Sequence, residues 1–380
     1  MNSKFTYRKR MPTGFSPFVL AVVLSIASSP VQAQVFQWQE NSWPAEDMNL
    51  SKVAASAERL IAVGRTGTSP DFAPVAVTST DGRNWQIVDV GLAGRFVSDI
   101  LHTEQGFILA LEDGSLRIGD PDQGWDEIVP PDEARLRLAS VVEHQGRILL
   151  FGQLVSNFRT SRIVATADFL AWDLLWEGSD LFVGPFLIDP ISNGTALAMS
   201  IVFGPPAFPI AGLLYSSDGI DWEGHDDGFR LAPTSIATRQ GTLFARTRET
   251  SGNIHPLRIL QRGPGDVDWQ PIIHPDFLVN SSGLIRGGPP GLVLQVTIDG
   301  QQALLAGVDG SSWTRQGFTP SGLTQDFVAW QGGWVGVGDT ALLGRPQGSV
   351  PVPTISIPGL LLLALGLLAL ARFSRRQRAA

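Results

Sequence analysis

The chain of 380 residues has no cysteine, so disulfides and thiolate–metal sites are excluded and export has to be argued from other features. Tyrosine is nearly missing as well: the two are Tyr7 and Tyr215. Between residues 34 and 353 the only lysine is Lys52, and every other base there is arginine, a bias that codon usage explains as readily as function does. Acidic residues are missing from both ends. Residues 1–33 carry Lys4, Arg8, Lys9 and Arg10 with no acid, and residues 354–380 carry Arg372, Arg375, Arg376 and Arg378 with no acid. Setting these eight cations aside leaves 20 of the 28 bases against 36 acids, a net of −16 for the middle of the chain. Such a surface repels nucleic acid and anionic lipid at neutral pH. No phosphate loop, dinucleotide fingerprint or Gly-x-Ser-x-Gly occurs.

What is abundant is turn chemistry. The 41 Gly and 26 Pro predict short strands and many turns, and a hydrophobic content of 43% suffices for a core. The length allows one large β domain or two ordinary ones.

The two ends read as addresses. A basic segment is followed by an uncharged apolar run from Phe18 to Ile26, then by Val31-Gln32-Ala33, the small-x-small pattern that signal peptidase accepts. Cleavage between Ala33 and Gln34 is expected, making residues 1–33 a signal peptide. At the other end, residues 348–380 are expected to form a tail outside the fold. A helix from about Ile355 to Phe373 would just cross the hydrocarbon layer, and the Arg cluster behind it would stay cytoplasmic.

This tail, with its motif Val352-Pro353-Thr354-Ile355-Ser356 and Gly359, resembles the PEP-CTERM-like sorting tails, in particular the IPTL-CTERM variety. It departs from them in having Ile357-Pro358 where an acidic or polar residue and Trp are usual. The resemblance implies processing by an exosortase-like enzyme, delivery to the inner membrane facing the periplasm, and then display at the cell surface or release. A plain single-pass anchor is the simpler alternative.

Between the ends lies a repeat. An Asp-Gly-x-x-Trp turn is complete at Asp81-Gly82-Arg83-Asn84-Trp85, Asp218-Gly219-Ile220-Asp221-Trp222 and Asp309-Gly310-Ser311-Ser312-Trp313. Degenerate copies end at Trp125, Trp172 and Trp269, and successive Trp separations are 40, 47, 50, 47 and 44 residues. A polar-Gly turn before an apolar run alternates with it, at Gln105-Gly106, Gln145-Gly146, Asn193-Gly194, Gln240-Gly241, Pro290-Gly291 and Gly332-Gly333, with a first copy near Glu58 that has lost its Gly. The unit therefore reads strand, hairpin, strand, linker, strand, Trp turn, strand, which is one propeller blade. Seven hairpin markers face six Trp turns, so the last blade lacks a strand. Val35-Phe36-Gln37-Trp38-Gln39 is available to supply it. The expectation is an all-β propeller of about seven four-stranded blades over residues 34–347, with its last blade completed by the N-terminal strand. An eight-bladed ring or an open sandwich are the alternatives.

The Trp turn resembles the Asp-box of sialidase-type BNR propellers, seen most closely at Ser79-Thr80-Asp81-Gly82 and Ser216-Ser217-Asp218-Gly219, with one residue fewer between Asp and Trp. In that reading the Asp caps the turn backbone, the Gly supplies a left-handed conformation and the Trp packs between blades. These residues mark a fold and not a catalytic site. A sialidase would need a Tyr nucleophile paired with Glu, an Asp acid/base and three Arg. Tyr7 lies in the signal peptide and Tyr215 is accounted for by the repeat, so that chemistry has no evident carrier.

Metal candidates are thin. The five His have no ligand spacing, His225-Asp226-Asp227 reads as a solvated loop, and Asp120-Pro121-Asp122-Gln123-Gly124-Trp125-Asp126 has a faint calcium-loop character without a third early oxygen ligand. No cofactor is implied, calcium being the one candidate. The apolar stretch Val202-Phe203-Gly204-Pro205-Pro206-Ala207-Phe208-Pro209 is the longest insertion and a candidate contact loop. The sequence is thus read as a non-enzymatic exported propeller that binds an envelope partner such as polysaccharide, or serves as a surface protein without a ligand. The rival is a glycan-active hydrolase or lyase, which two or three carboxylates converging with Arg in an axial pocket would favour.

Overall fold

The structure, a computed structural model, describes residues 35–347 apart from 180–185, 204–209, 226–230, 250–256, 267, 273–282, 299–300 and 311. The signal segment, the cleavage point at Ala33 and Gln34, the motif Val352–Ser356 and the tail helix all lie outside the described residues, as do Asp226, Asp227 and most of the apolar insertion. Among the described residues there is no helix long and apolar enough to cross a membrane.

Every regular element among the described residues is a β-strand. The chain enters with β1 (Phe36–Asn41) and then builds blade 1 from β2 (Asn49–Ala55), β3 (Leu60–Thr66), β4 (Ala73–Ser79) and β5 (Gln86–Ile87). Blade 2 is β6 (Val97–Thr103), β7 (Gly106–Leu111), β8 (Leu116–Asp120) and β9 (Gly124–Ile128). Blade 3 is β10 (Leu136–His144), β11 (Arg147–Leu154), β12 (Asn157–Thr166) and β13 (Asp173–Ser179). Blade 4 is β14 (Phe186–Ser192), β15 (Leu197–Phe203), β16 (Ile210–Ser216) and β17 (Glu223–His225). Blade 5 is β18 (Leu231–Arg239), β19 (Thr242–Glu249), β20 (Leu257–Arg262) and β21 (Gln270–Ile272). Blade 6 is β22 (Ile285–Gly288), β23 (Gly291–Ile298), β24 (Gln301–Gly307) and β25 (Trp313–Arg315). The last three strands are β26 (Thr324–Trp330), β27 (Gly333–Gly338) and β28 (Ala341–Pro346).

These form seven antiparallel four-stranded sheets, the seventh in the order β1-β28-β27-β26. The first strands of successive blades pack against one another in cyclic order, β26 returning to β2, so they surround the axis. The closure expected from Val35–Gln39 is present: β1 is the outer strand of blade 7, with Trp38 opposite Gly344. Gly344 has to be glycine, because a Cβ there would lie 2.8–2.9 Å from three Trp38 ring atoms. In blade 3 the linker between the second and third strands is only a tight turn, β12 starting at Asn157 directly after β11 ends at Leu154.

Burial follows the blades. Seven apolar clusters each join two neighbouring blades, and each contains a tryptophan from an outer strand or the turn before it, the cluster between blades 3 and 4 holding Trp176 of β13 as well. Trp85, Trp125, Trp172, Trp222, Trp269 and Trp313 serve the first six blades in order. In the wedge between blades 6 and 7 the seventh is Trp38, packed with Phe36, Phe318 and Phe327. The missing Trp turn is therefore replaced by the N-terminal strand in packing as well as in hydrogen bonding.

The turns before the tryptophans are capped as the residues dictate. Asp81 Oδ1 accepts the backbone N–H groups of Arg83 at 2.8 Å and Asn84 at 2.7 Å, and Ser79 Oγ accepts that of Gly82 at 2.9 Å. Asp218 repeats this with Ile220 and Asp221, and Ser216 with Gly219. Gly82, Gly219 and Gly310 have φ of 71°, 77° and 82°, the left-handed region. Trp222 and Trp313 each donate Nε1–H to the carbonyl of the turn glycine, at 3.1 and 2.8 Å. At the degenerate copy in blade 3, Phe169 holds that conformation at φ 60° and its buried ring fills the wedge.

Candidate functional site: a charged ring in the axial cavity

Six of the seven inner strands break register at one place. The irregularities lie between Leu50 and Lys52, Val97 and Asp99, Arg137 and Ser140, Ile188 and Ile191, Pro233 and Ser235, and Thr324 and Asp326. A bulge leaves a residue outside the ladder and re-aims its side chain. In blade 6 the inner strand instead begins here, at Ile285-Arg286. Reading round the ring, the residues at this level are Lys52, Asp99, Ser140, Asp189, Ser235, Arg286 and Asp326.

Five of these carry charge and they converge. Arg286 is the hub: Nε donates to Asp326 Oδ1 at 2.8 Å, and Nη1 and Nη2 donate to Asp189 Oδ2 and Oδ1, both at 2.9 Å. The guanidinium thus reaches past blade 5 to blade 4, while Nη1 also donates to Ser235 Oγ at 2.8 Å. On the other side Lys52 Nζ lies 3.2 Å from Asp99 Oδ1. Each carboxylate has a second duty. Asp326, Asp99 and Asp189 accept the backbone N–H of Val53, Val141 and Ile236 in the following blade, at 3.3, 3.0 and 2.7 Å. Ser235 Oγ donates to the carbonyl of Ile285 at 3.0 Å and accepts its N–H at 3.2 Å, carrying the chain of contacts from blade 5 to blade 6. The polar ring therefore stitches blades together around the axis.

The electrostatics follow from crowding unlike charges in a partly dry space. Burial alone would raise the Asp189 pKa, but the charges of Arg286 and Lys52 and the N–H of Ile236 hold it below the usual carboxylate range. Burial likewise works to lower the pKa of Lys52, yet the carboxylates of Asp99, Asp326 and Asp189 outweigh it and raise it. Arg286 is raised for the same reason, by Asp189 and Asp326.

The ring borders a cavity of about 310 Å³ that also touches Ile100, Leu101, Val141, Glu143, Ile191 and Ser192. Its size sits at the small end of ligand pockets. Lys52 is open to it over 26% of its side chain, against 9% for Asp326. Charged and apolar side chains alternate in the wall, so the cavity can order a small polar ligand by hydrogen bonds while its carbon skeleton meets Val53, Ile100, Val141 and Ile191.

The sequence-derived candidates lie elsewhere. Asp81, Gly82, Trp85, Asp218, Gly219, Trp222, Gly310 and Trp313 are turn and wedge residues at the outer strands, and Asp309 begins the blade-6 turn. Tyr215 does have a glutamate opposite it, Glu223, and Arg262 over its ring at 3.4 Å. These belong to third and fourth strands, however, and join none of the axial carboxylates. In the calcium-like segment both oxygens of Asp122 are taken by Arg59 of blade 1, at 3.1 and 2.6 Å. Among the described residues no group of three His, Asp or Glu is placed to hold a metal ion. The ring itself was missed by sequence reasoning. The rarity of Lys52 is explained by codon usage as readily as by function, and only the structure sets it among three carboxylates.

No protein-family model matches the chain, and no curated protein matches it in sequence. Solved structures do. A streptogramin B lyase is 13% identical at a TM-score of 0.58, covering 83% of this chain and 99% of the lyase. An acylaminoacyl peptidase from Pyrococcus horikoshii is 11% identical at a TM-score of 0.54, covering 79% of this chain and 52% of the peptidase. The β-propeller domain of the Trilobed protease from Pyrococcus furiosus, described as having an open velcro topology, is 10% identical at a TM-score of 0.50, covering 82% of this chain and 99% of that domain. At such identities the likeness establishes the propeller fold, which in these proteins accompanies a lyase, a peptidase and a protease.

Proposed function

We propose that this chain is an exported, membrane-delivered propeller that acts as a binding or structural protein of the cell envelope or extracellular matrix, with the axial cavity as its ligand site. The observation that carries binding over catalysis is the mutual commitment of the axial charges. All three aspartates already accept from a cation and from a backbone N–H, and Asp189 is held in its ionised form. Glycosidic cleavage needs one carboxyl kept protonated as the acid. A ring so matched serves to hold blades and shape a cavity.

Export is supported by the basic-apolar-small pattern ending at Ala33 and by the tail from Val352 to the Arg cluster. Signal peptidase and an exosortase-like enzyme are the processing partners this implies, and the capped Trp turns support kinship with Asp-box propellers. Fractionation with mass spectrometry of the mature chain tests the address. A species beginning at Gln34 and ending near Thr354 is expected, and an intact Ala380 in the membrane fraction would defeat sorting and release. Co-sedimentation of the full-length chain with the envelope polysaccharide of its own producing cells tests binding; no retention leaves the purely structural role.

A second reading has one observation in its favour. Two carboxylates do converge with Arg286 at the axis, and a third meets Lys52 beside them, the arrangement expected of a glycan-active hydrolase or lyase. Incubating the chain with the same polysaccharide and measuring new reducing ends separates the two. Sustained release that Asp99→Asn abolishes would establish the enzyme and sink the non-enzymatic reading.

A further inference from the structure

The binding reading names a cavity, and the chemistry of its walls narrows what can enter. Six charged side chains line it: Lys52, Asp99, Glu143, Asp189, Arg286 and Asp326, four acids against two bases. Arg286 has four of its five N–H groups committed, to Asp189, Asp326 and Ser235. Lys52 differs. An ammonium has three donors, and the ion pair to Asp99 at 3.2 Å engages one. The side chain is also the more open of the two, 26% against 16%.

Charge rules on three classes of ligand. An anion would have to enter a space where carboxylates outnumber cations, close to Asp99 and Glu143. A cation would face Lys52 and Arg286 and would compete with Lys52 for Asp99. A neutral hydroxyl-rich molecule meets neither penalty. Its oxygens accept from the spare Lys52 donors, and its hydroxyls donate to lone pairs on Asp99 and Glu143, because an ionised carboxylate offers about four acceptor sites. Its C–H surface meets Ile100, Val141 and Ile191.

We infer that the axial cavity accepts a neutral, polyhydroxylated ligand the size of about one sugar unit, with the Lys52 ammonium as its principal hydrogen-bond donor. This deepens the binding reading and rests on it.

Lys52 supplies its own reporter. It is the only lysine between residues 34 and 353, so an amine-selective acylating reagent marks one site in the fold, read by mass spectrometry of the peptide that contains it. The full-length chain in detergent is labelled alone and with glucose, galactose, glucuronate or N,N,N-trimethylglucosamine, whose quaternary nitrogen cannot consume the reagent. Protection by a neutral sugar, and not by either charged sugar at equal concentration, is expected. Stronger protection by either charged sugar overturns the inference about ligand charge. Equal labelling with every probe overturns the assignment of the cavity. If polysaccharide still co-sediments in that case, the binding reading survives and only the site falls. Calorimetric titration of the protecting sugar into Lys52→Gln should show an affinity lower by about tenfold or more, as loss of a hydrogen bond from a charged group implies. Unchanged affinity would remove Lys52 from the site.

Discussion

The hub and the rim of this propeller are built on opposite rules. At the rim every blade repeats one solution, a tryptophan wedged against the preceding blade, and seven clusters of like composition result. At the hub the inner strands contribute Lys52, Asp99, Ser140, Asp189, Ser235, Arg286 and Asp326, a set of mixed charge that does not repeat from blade to blade. Apolar wedges are non-directional and tolerate repetition. An ion-pair ring demands that each charge meet its opposite, which breaks the sevenfold pattern and gives each blade an identity. Periodicity thus carries the fold, and departure from it carries the site. The comparison also predicts different failure modes: hub changes should act through unpaired charge, rim changes through lost volume or lost turn caps.

The largest effect is expected at Arg286. Arg286→Ala leaves Asp189 and Asp326 without their bonded cation and with only Lys52 to offset their charge, and breaking a buried ion pair from one side costs roughly 3–5 kcal/mol. Denaturant unfolding measures it. The double variant Arg286→Met with Asp189→Asn should recover part of the loss, because it removes charge on both sides. A single-variant loss no greater than that of a surface arginine such as Arg147 would mean that the hub ring holds nothing together.

Next comes the rim at its seam. Trp38→Ala empties a wedge and loosens the strand that closes the ring, at about 3 kcal/mol or more for a buried aromatic truncated to alanine. Trp85→Ala removes an equally buried ring from a blade whose strands are continuous in sequence. The Trp38 variant should also expose β1 to limited proteolysis, and the Trp85 variant should not. Equal proteolysis in both would show that closure owes nothing special to β1. Gly344→Ala should reproduce the Trp38 pattern more weakly, by forcing the indole away from β28.

How far these regions could be read in advance differs for the same physical reason. Rim and hairpin features are local: Asp81, Gly82 and Trp85 dictate a turn within five residues, and recurrence multiplies the signal. Counting seven hairpin markers against six Trp turns was enough to place Val35–Gln39 in the last blade. The ring has no such redundancy. Its members are single polar residues inside apolar strands, varying between Lys, Asp, Ser and Arg from blade to blade, and their meaning arises only when distant blades meet. A weak signal was present in Ser51-Lys52-Val53, Ser98-Asp99-Ile100, Thr234-Ser235-Ile236 and Gln325-Asp326-Phe327, where a polar pair precedes the apolar run into each hairpin. Lys52 stood out by rarity, but rarity alone points to no location.

A smaller effect, and one that separates hub from rim by its shape, lies in pH. Asp189 is held below its ordinary pKa, so its contribution is complete above the unfolded value near 4 and is lost as pH falls through the depressed folded value. Lys52 is held above its ordinary pKa, so its contribution is complete below about 10.4 and is lost as pH rises through the folded value. The wild-type melting temperature should therefore fall at both extremes. Lys52→Gln should flatten the alkaline limb and leave most of the acid limb. An unchanged alkaline limb in that variant would take Lys52 out of the charge ring.

The smallest change is at a rim turn, where a single cap is removed and no wedge is disturbed. Burial would raise the Asp81 pKa, but the backbone N–H groups of Asn84 and Arg83, the Asn84 side chain and Ser79 together outweigh it and bring the pKa to about 2. Asp81→Ala should cost roughly 1 kcal/mol, the usual worth of such hydrogen bonds net of water. Its sign with pH is fixed by the depressed pKa: the deficit relative to wild type is full at pH 5 and closes as pH falls from about 4 towards 2. The hub shares that acid direction, so the discriminating feature is the variant difference and not the curve of either protein alone. Because the turn sits away from the axis, Asp81→Ala should leave labelling of Lys52 and its protection by sugar unchanged. A change in either would mean that rim and hub are energetically coupled, and the division between a repeated scaffold and an individual site would have to be redrawn.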